Sequence, residues 1–284
     1  MKTLIFITVI FIFFCKPYST KADVNLLRYV NEIENVNDQT VILDTRPIIK
    51  CEKQTLPGAR CLPANDFIGP HGRLVGFSNI AWVLGSAGLT GNESVLIIGR
   101  DPIKRDFVAG LLHIMGQAQV SIFIKSLNSV NGLKEPGLER DSFRTAIWQA
   151  PIRDDAIIFK HELRDILASI PNQILLDGRP EKSYWGKTVS ASRGGHLPGA
   201  DHMPARRLRA DIIRGHALGP ATKNAIVYAH HAIDGIAFMT LVIAGTETPV
   251  RVYPGGWAEW ANDGSLPVDA ESFPLQNTML KKGN

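Results

Sequence analysis

The sequence predicts an α/β protein of two domains, each with a mainly parallel central sheet flanked by helices. Three observations predict it. A short apolar run ending in Asp-x-Arg occurs twice, as Val41–Leu43 before Asp44-Thr45-Arg46 and as Ile174–Leu176 before Asp177-Gly178-Arg179. A Leu-Pro-Gly-Ala turn follows each, at Leu56–Ala59 and at Leu197–Ala200. Each copy then continues with a strand, a polar loop, a long apolar helix and another β-rich run. An ordered set of units that recurs within one chain is the mark of an internal repeat.

Residues 1–22 read as a signal peptide. Lys2 begins a basic start, Leu4–Phe14 is almost wholly apolar, and Lys16–Ala22 is polar, with Thr20 and Ala22 in the small-residue positions before a cut. The apolar run is about 11 residues, short of the roughly 20 that a bilayer span needs. Cys15 would suggest a lipid anchor, but Phe14 before it is bulkier than such processing accepts. The expectation is an exported protein, periplasmic or secreted, that meets a membrane only through this peptide. Its loss takes away three Lys and no acidic residue, so the net charge falls from +4 to +1. The excess positive charge therefore argues for export and gives no case for a nucleic-acid partner. A chain with 45% hydrophobic and 20% charged residues is not disordered.

The organisation that follows is a first domain at 23–130, a linker at 131–155, a second domain at 156–264 and a tail at 265–284. In the first domain Val41–Leu43 is a buried strand, and Ala59 opens a short one after the Pro57-Gly58 turn. Ser94–Ile98 is a longer strand that leads through Gly99–Lys104 into the apolar helix Phe107–Met115. Gly116 ends that helix, and Val120–Ile124 is the next strand. The second domain repeats the order: Ile174–Leu176, Ala200, Ala225–Tyr228, the loop Ala229–Asp234, the helix Ile236–Ala244 capped by Gly245, and Val250–Tyr253. The linker is richer in Gly, Pro and charge.

These units, in this order, resemble the rhodanese (thiosulfate sulfurtransferase) family in its tandem two-domain form. The second half carries the clearer match. Leu176-Asp177-Gly178-Arg179 and Gly195-His196-Leu197-Pro198-Gly199-Ala200 are similar to the family's strand-Asp-x-Arg and Gly-His-Ile-Pro-Gly-Ala signatures. Tyr253-Pro254-Gly255-Gly256-Trp257-Ala258-Glu259-Trp260 is similar to its closing Gly-Gly-Trp signature. The first half keeps Asp44-Thr45-Arg46 and Leu56-Pro57-Gly58-Ala59 but lacks the Gly-His and the Gly-Gly-Trp. The resemblance implies two rhodanese-like domains, no cofactor and no metal. It also implies a reaction in which a Cys directly after the strand matching Ala225–Tyr228 takes a sulfane sulfur from thiosulfate as a persulfide and passes it to cyanide or a thiol.

That position holds Ala229, and an alanine methyl carries no sulfur. The matching position in the first half is Gly99, and no Cys follows Cys61. The implied cradle is Ala229, His230, His231, Ala232, Ile233, Asp234 and Gly235, where loop amides and a helix N-terminus favour an anion. His230 and His231 read as polar residues at a cleft mouth or as ligand contacts, and two adjacent His make a weak metal signal. Asp234 reads as a helix cap or first-turn acid; at a ligand site it would repel thiosulfate. The reading is an inactive exported protein of sulfur metabolism that binds a small sulfur-containing anion or a protein partner. Its alternative is a thiosulfate sulfurtransferase. The pairs Asp44/Arg46 and Asp177/Arg179, with His196, read as structural, as do Trp257 and Trp260. Arg206, Arg207 and Arg209 read as a solvated face or a contact between domains. Arg100, Lys104 and Arg105 read as surface charge or as an anion hold. Cys51 and Cys61 form a disulfide or remain two free structural thiols.

Overall fold

The computed structural model describes residues 27–33, 39–125, 127, 130, 133–142, 144–216, 219 and 224–269. The signal peptide expected at 1–22 lies outside them, as do residues 270–284 of the tail. The first sheet is built from β1 (Leu27–Val30), β2 (Val41–Asp44), β3 (Arg60–Cys61), β4 (Ser94–Ile98) and β5 (Gln119–Phe123), in the order β1-β5-β4-β2-β3. The second contains β6 (Leu175–Asp177), β7 (Ala200–His202), β8 (Ile226–Tyr228) and β9 (Arg251–Val252), in the order β7-β6-β8-β9. All pairings are parallel. Beyond β9, Ile157 bridges Val252, again in parallel. The second sheet therefore repeats the first, with Ile157 standing where β1 stands.

Parallel strands covered on both faces read as continuous apolar runs. β4 and β8 are such runs, and the side chains of Val95–Ile98 and Ile226–Tyr228 are buried. Parallel neighbours also need crossover connections. Those supplied here include α1 (Ile48–Lys53), α2 (Phe77–Ser86), α3 (Pro102–Ile114), α4 (Lys160–Ser169), α5 (Glu181–Tyr184), α6 (Ala205–Ile213) and α7 (Ala232–Thr246), and α8 (Gly256–Ala261) follows the last strand. Asp101 caps α3 by accepting from the amides of Ile103 and Lys104, and Gly116 follows its end at φ 94°. α7 departs from the expected bounds. It starts at Ala232 rather than Ile236 and runs through Gly245 to Thr246, so Glu247 at φ 54° takes the left-handed position, its amide bonded to the Ile243 carbonyl. None of the helices among the described residues is long and apolar enough to cross a membrane.

The two halves meet along α3 and α7, and one apolar cluster runs through both. Gly110 sets the approach: a Cβ there would stand 2.7 Å from Ile236 Cγ2 and 2.9 Å from the Ile236 carbonyl oxygen. Beside it the Thr240 hydroxyl donates to the Asp106 carbonyl at 2.8 Å. The buried Asp106 carboxylate accepts from Arg105 at 3.1 Å and from Arg209 of α6 at 2.9 Å. Of the basic cluster, Arg209 is thus a contact between halves.

The 131–155 segment lies along the first half rather than bridging open space. Glu135 pairs with Thr55, and Leu138 pairs with Arg60 at the edge of β3. Ala146 donates to Gly85, the Trp148 indole donates to the Met115 carbonyl, and Arg153 donates to the carbonyls of His113 and Gln117. The described part of the tail is also packed. Leu266 is buried, Pro267 accepts from the Trp260 indole, and Asp269 pairs with His196 backbone to backbone. Cys51 on α1 and Cys61 on β3 are buried with their sulfurs paired and their Cα atoms 5.8 Å apart.

Candidate functional site

The Asp-x-Arg corners at the ends of β2 and β6 share one geometry. In each, the Arg amide donates to its own Asp at 2.9–3.0 Å, and the guanidinium holds both carboxylate oxygens. The Nη2 that donates to the Asp carboxylate also closes the following turn, by donating to the Gln54 carbonyl in the first half and to the Gly195 carbonyl in the second. The first carboxylate also accepts from Thr55, and the second faces the Tyr228 hydroxyl. Burial, and then the Asp177 charge, push the Tyr228 phenol well above its usual range, so it stays protonated and donates. In the second half Arg179 also lies over the Trp257 ring, 4.5 Å from its centroid. His196 is buried, stacked on Tyr184 at 3.9 Å and bonded to the Tyr184 carbonyl. Of these, Asp177 and Arg179 lie close enough to the loop that follows β8 for their charges to act on His230.

Ala229 leaves β8 buried, His230 is half-buried, and His231 is exposed as the residue before α7. Ala232 and Gly235 are buried, Ile233 and Asp234 are half-buried, and Asp234 falls in the first turn of the helix. The loop is held from below by α8. The amides of Trp257 and Ala258 donate to the carbonyls of Ala229 and His230 at 2.8 and 3.1 Å. This close approach explains the Gly-Gly before Trp257. Gly256 sits at φ 58°, and a Cβ on it would stand 2.6 Å from the Ala229 carbonyl oxygen. The first amides of α7 have no partner within the helix and mark its positive end.

Burial lowers the His230 pKa, and the charges of His231 and Arg179 lower it further; a backbone hydrogen bond with Ser190 opposes them. Burial raises the Asp234 carboxyl, His231 lowers it, and Asp101 of the other half raises it again. No group of three or more His, Cys, Asp or Glu among the described residues could hold a metal ion.

The matching place in the first half is filled. Gly99 follows β4, and a Cβ on it would overlap Oγ1 of Thr45, whose hydroxyl donates to the Ile98 carbonyl. At the second corner Gly178 stands where Thr45 stands, and a Cβ on Gly178 would press into the Phe238 ring at 2.6 Å. The first corner has its side chain on the Asp-x-Arg turn, and the second has it on the loop residue. Arg100, Lys104 and Arg105, read as surface charge or as an anion hold, do not converge on one point. Arg105 turns into the core to Asp106, and Lys104 donates to Asn65, which leaves Arg100 exposed alone. A separate cleft of about 940 Å³, lined by Phe77, Phe159, Ile157, Val250, Arg153 and Arg251, brings none of the loop residues together.

Two parallel sheets flanked by helices, with the corner, loop and Gly-Gly-Trp of the second sheet, define a rhodanese-like fold. Residues 159–263 match the family model of the rhodanese-like domain. The chain is 26% identical over 266 residues to a putative thiosulfate sulfurtransferase of Synechococcus elongatus, covering 82% of this chain and 81% of that protein. It is 34% identical over 106 residues to the thiosulfate sulfurtransferase of Azotobacter vinelandii, a match that spans 33% of this chain and 38% of that protein. Among solved structures, that of a probable thiosulfate sulfurtransferase aligns with TM-score 0.59 at 25% identity, over 82% of this chain and 99% of the other. The wild-type structure of EanB aligns with TM-score 0.65 at 18% identity, over 84% of this chain and 65% of the other, and so shares the fold.

Proposed function

We propose that this is an exported protein of two rhodanese-like domains that binds a small sulfur-containing anion, or a protein partner, without passing sulfur through a persulfide of its own. The observation that carries the reading is Ala229 at the end of β8, on the loop held by α8 over Arg179 and Trp257. The loop amides and the N-terminus of α7 favour an anion there, while the side chain that would attack it is a methyl group. Neither Cys51 nor Cys61 lies on a loop after β4 or β8, so neither supplies the missing thiolate. Export rests on residues 1–22, and with it goes a structural Cys51–Cys61 disulfide.

A second reading, thiosulfate sulfurtransferase, is favoured by the names of the relatives. One assay separates the two: thiosulfate-to-cyanide sulfur transfer by the natural chain and by Ala229→Cys, with thiosulfate binding to the natural chain followed by calorimetry. The expected result is binding without turnover for the natural chain. Ala229→Cys is expected to turn over and to gain the mass of one sulfur atom. Turnover by the natural chain would overturn the non-catalytic reading.

A further inference from the structure

We propose that residues 135–138 are a strap that seals the Cys51–Cys61 disulfide, so that thiol–disulfide exchange there passes only through a form in which the strap has lifted. The proposal rests on the reading of these two Cys as a disulfide, given above.

The strap is stitched on both sides of the sulfurs. On the α1 side, Thr55 donates to Glu135 at 2.7 Å and Gly137 donates to Cys51 at 3.0 Å. On the β3 side, Leu138 donates to Ala59 and Cys61 donates to Leu138, both at 2.9 Å. The middle of the strap lies directly on the sulfurs. A Cβ on Gly137 would stand 2.5 Å from Sγ of Cys51 and 2.5 Å from Sγ of Cys61. Gly137 is not among the residues with positive φ, so glycine serves here for space and not for backbone conformation. Cys51 is 0% exposed and Cys61 1%. Leu56 and Ala59, from the same stretch of chain, are buried in the cluster below.

Exchange needs a thiolate to reach one sulfur and bond to it while the other sulfur leaves as a thiolate. With a dithiol reductant, the second thiol of the reagent then attacks the mixed disulfide. The reagent ends as its own disulfide, and Cys51 and Cys61 end as two thiols. With the strap down, the first step has no approach. The four hydrogen bonds of the strap are local, so its opening is expected to cost less than unfolding the molecule.

The test uses the full chain under native conditions with dithiothreitol, reading free thiols by alkylation and mass. Alkylation of both Cys51 and Cys61 in the untreated, denatured chain would remove the disulfide reading itself, an outcome distinct from failure of the strap. Given the disulfide, the wild-type reduction rate is expected to level off as dithiothreitol rises, because strap opening limits it. Gly137→Ala, whose Cβ props the strap off the sulfurs, is expected to speed reduction at least about tenfold. Leu163→Ala, which destabilises the core of the second half, is expected to leave the rate unchanged. Wild-type reduction that rises linearly with reagent at the rate of the unfolded chain would overturn the proposal. So would equal acceleration by Leu163→Ala. If Gly137→Ala fails to fold, the urea dependence of wild-type reduction decides. A slope far below that of global unfolding supports the strap, and an equal slope overturns it.

Discussion

Thr45 and Gly99 divide one small volume in the first half, whereas at the second corner the space beside Gly178 is taken by Phe238. Where the corner residue has a side chain the loop residue has none. This gives a prediction at the scale of a single methyl group. Gly99→Ala is expected to lower stability by about 1–3 kcal/mol, as other overpacked sites do, because its Cβ meets Thr45 Oγ1. Thr45→Gly together with Gly99→Ala is expected to recover part of the loss, so a double-mutant cycle followed by denaturant unfolding would show coupling. Simple additivity would contradict the shared volume. Ala229 and Gly99 were legible in the sequence because each directly follows an apolar strand. Their partners were not, since Thr45 and Gly99 come together only through the pairing of β2 with β4.

At the scale of elements, the central strands β4 and β8 and the apolar stretches of α3 and α7 were legible because each is buried and reads as a mostly apolar run. β1 was missed. Leu27-Arg28-Tyr29-Val30 is short, mixes polar with apolar residues, and becomes a strand by pairing with β5. Its counterpart is a single bridge at Ile157, which no local pattern signals. The end of α7 was misplaced at Gly245, the residue type that favours a left-handed cap; the helix passes through it and stops at Glu247 instead. A left-handed conformation costs a non-glycine residue about 1 kcal/mol. Glu247→Gly is therefore expected to raise the melting temperature, and thermal unfolding of the two chains checks it. Trp257 and Trp260 of the Gly-Gly-Trp signature were read as structural. The structure adds that Gly256 lets α8 come up beneath the loop, and that Trp257 lies under Arg179.

At the scale of the molecule, the seam between halves is a continuation of the core. Asp106 is 0% exposed and serves Arg105 and Arg209 from the two halves at once. Removing one member of a buried charge network leaves the others uncompensated, at a cost of about 3–5 kcal/mol. Asp106→Asn is expected to lose that much. Calorimetry of the natural chain is expected to show one transition; two resolved transitions would mean that the halves melt separately. The sequence marked Arg209 as a contact between domains or a solvated face, and gave no sign of Asp106 or Thr240. A charged residue inside an apolar helix does not disclose which distant side chain will meet it.

The seam also has a direction in time. Asp106 and Thr240 lie 134 residues apart along the chain. A ribosome that has finished α3 still has more than a hundred residues to add before it makes the helix that covers it. Until then the narrow face around Gly110 is bare, shaped to receive a helix and with none of its own to receive. The risk to this protein is greatest during that interval of synthesis, when a neighbouring nascent chain can take the place that α7 will later fill.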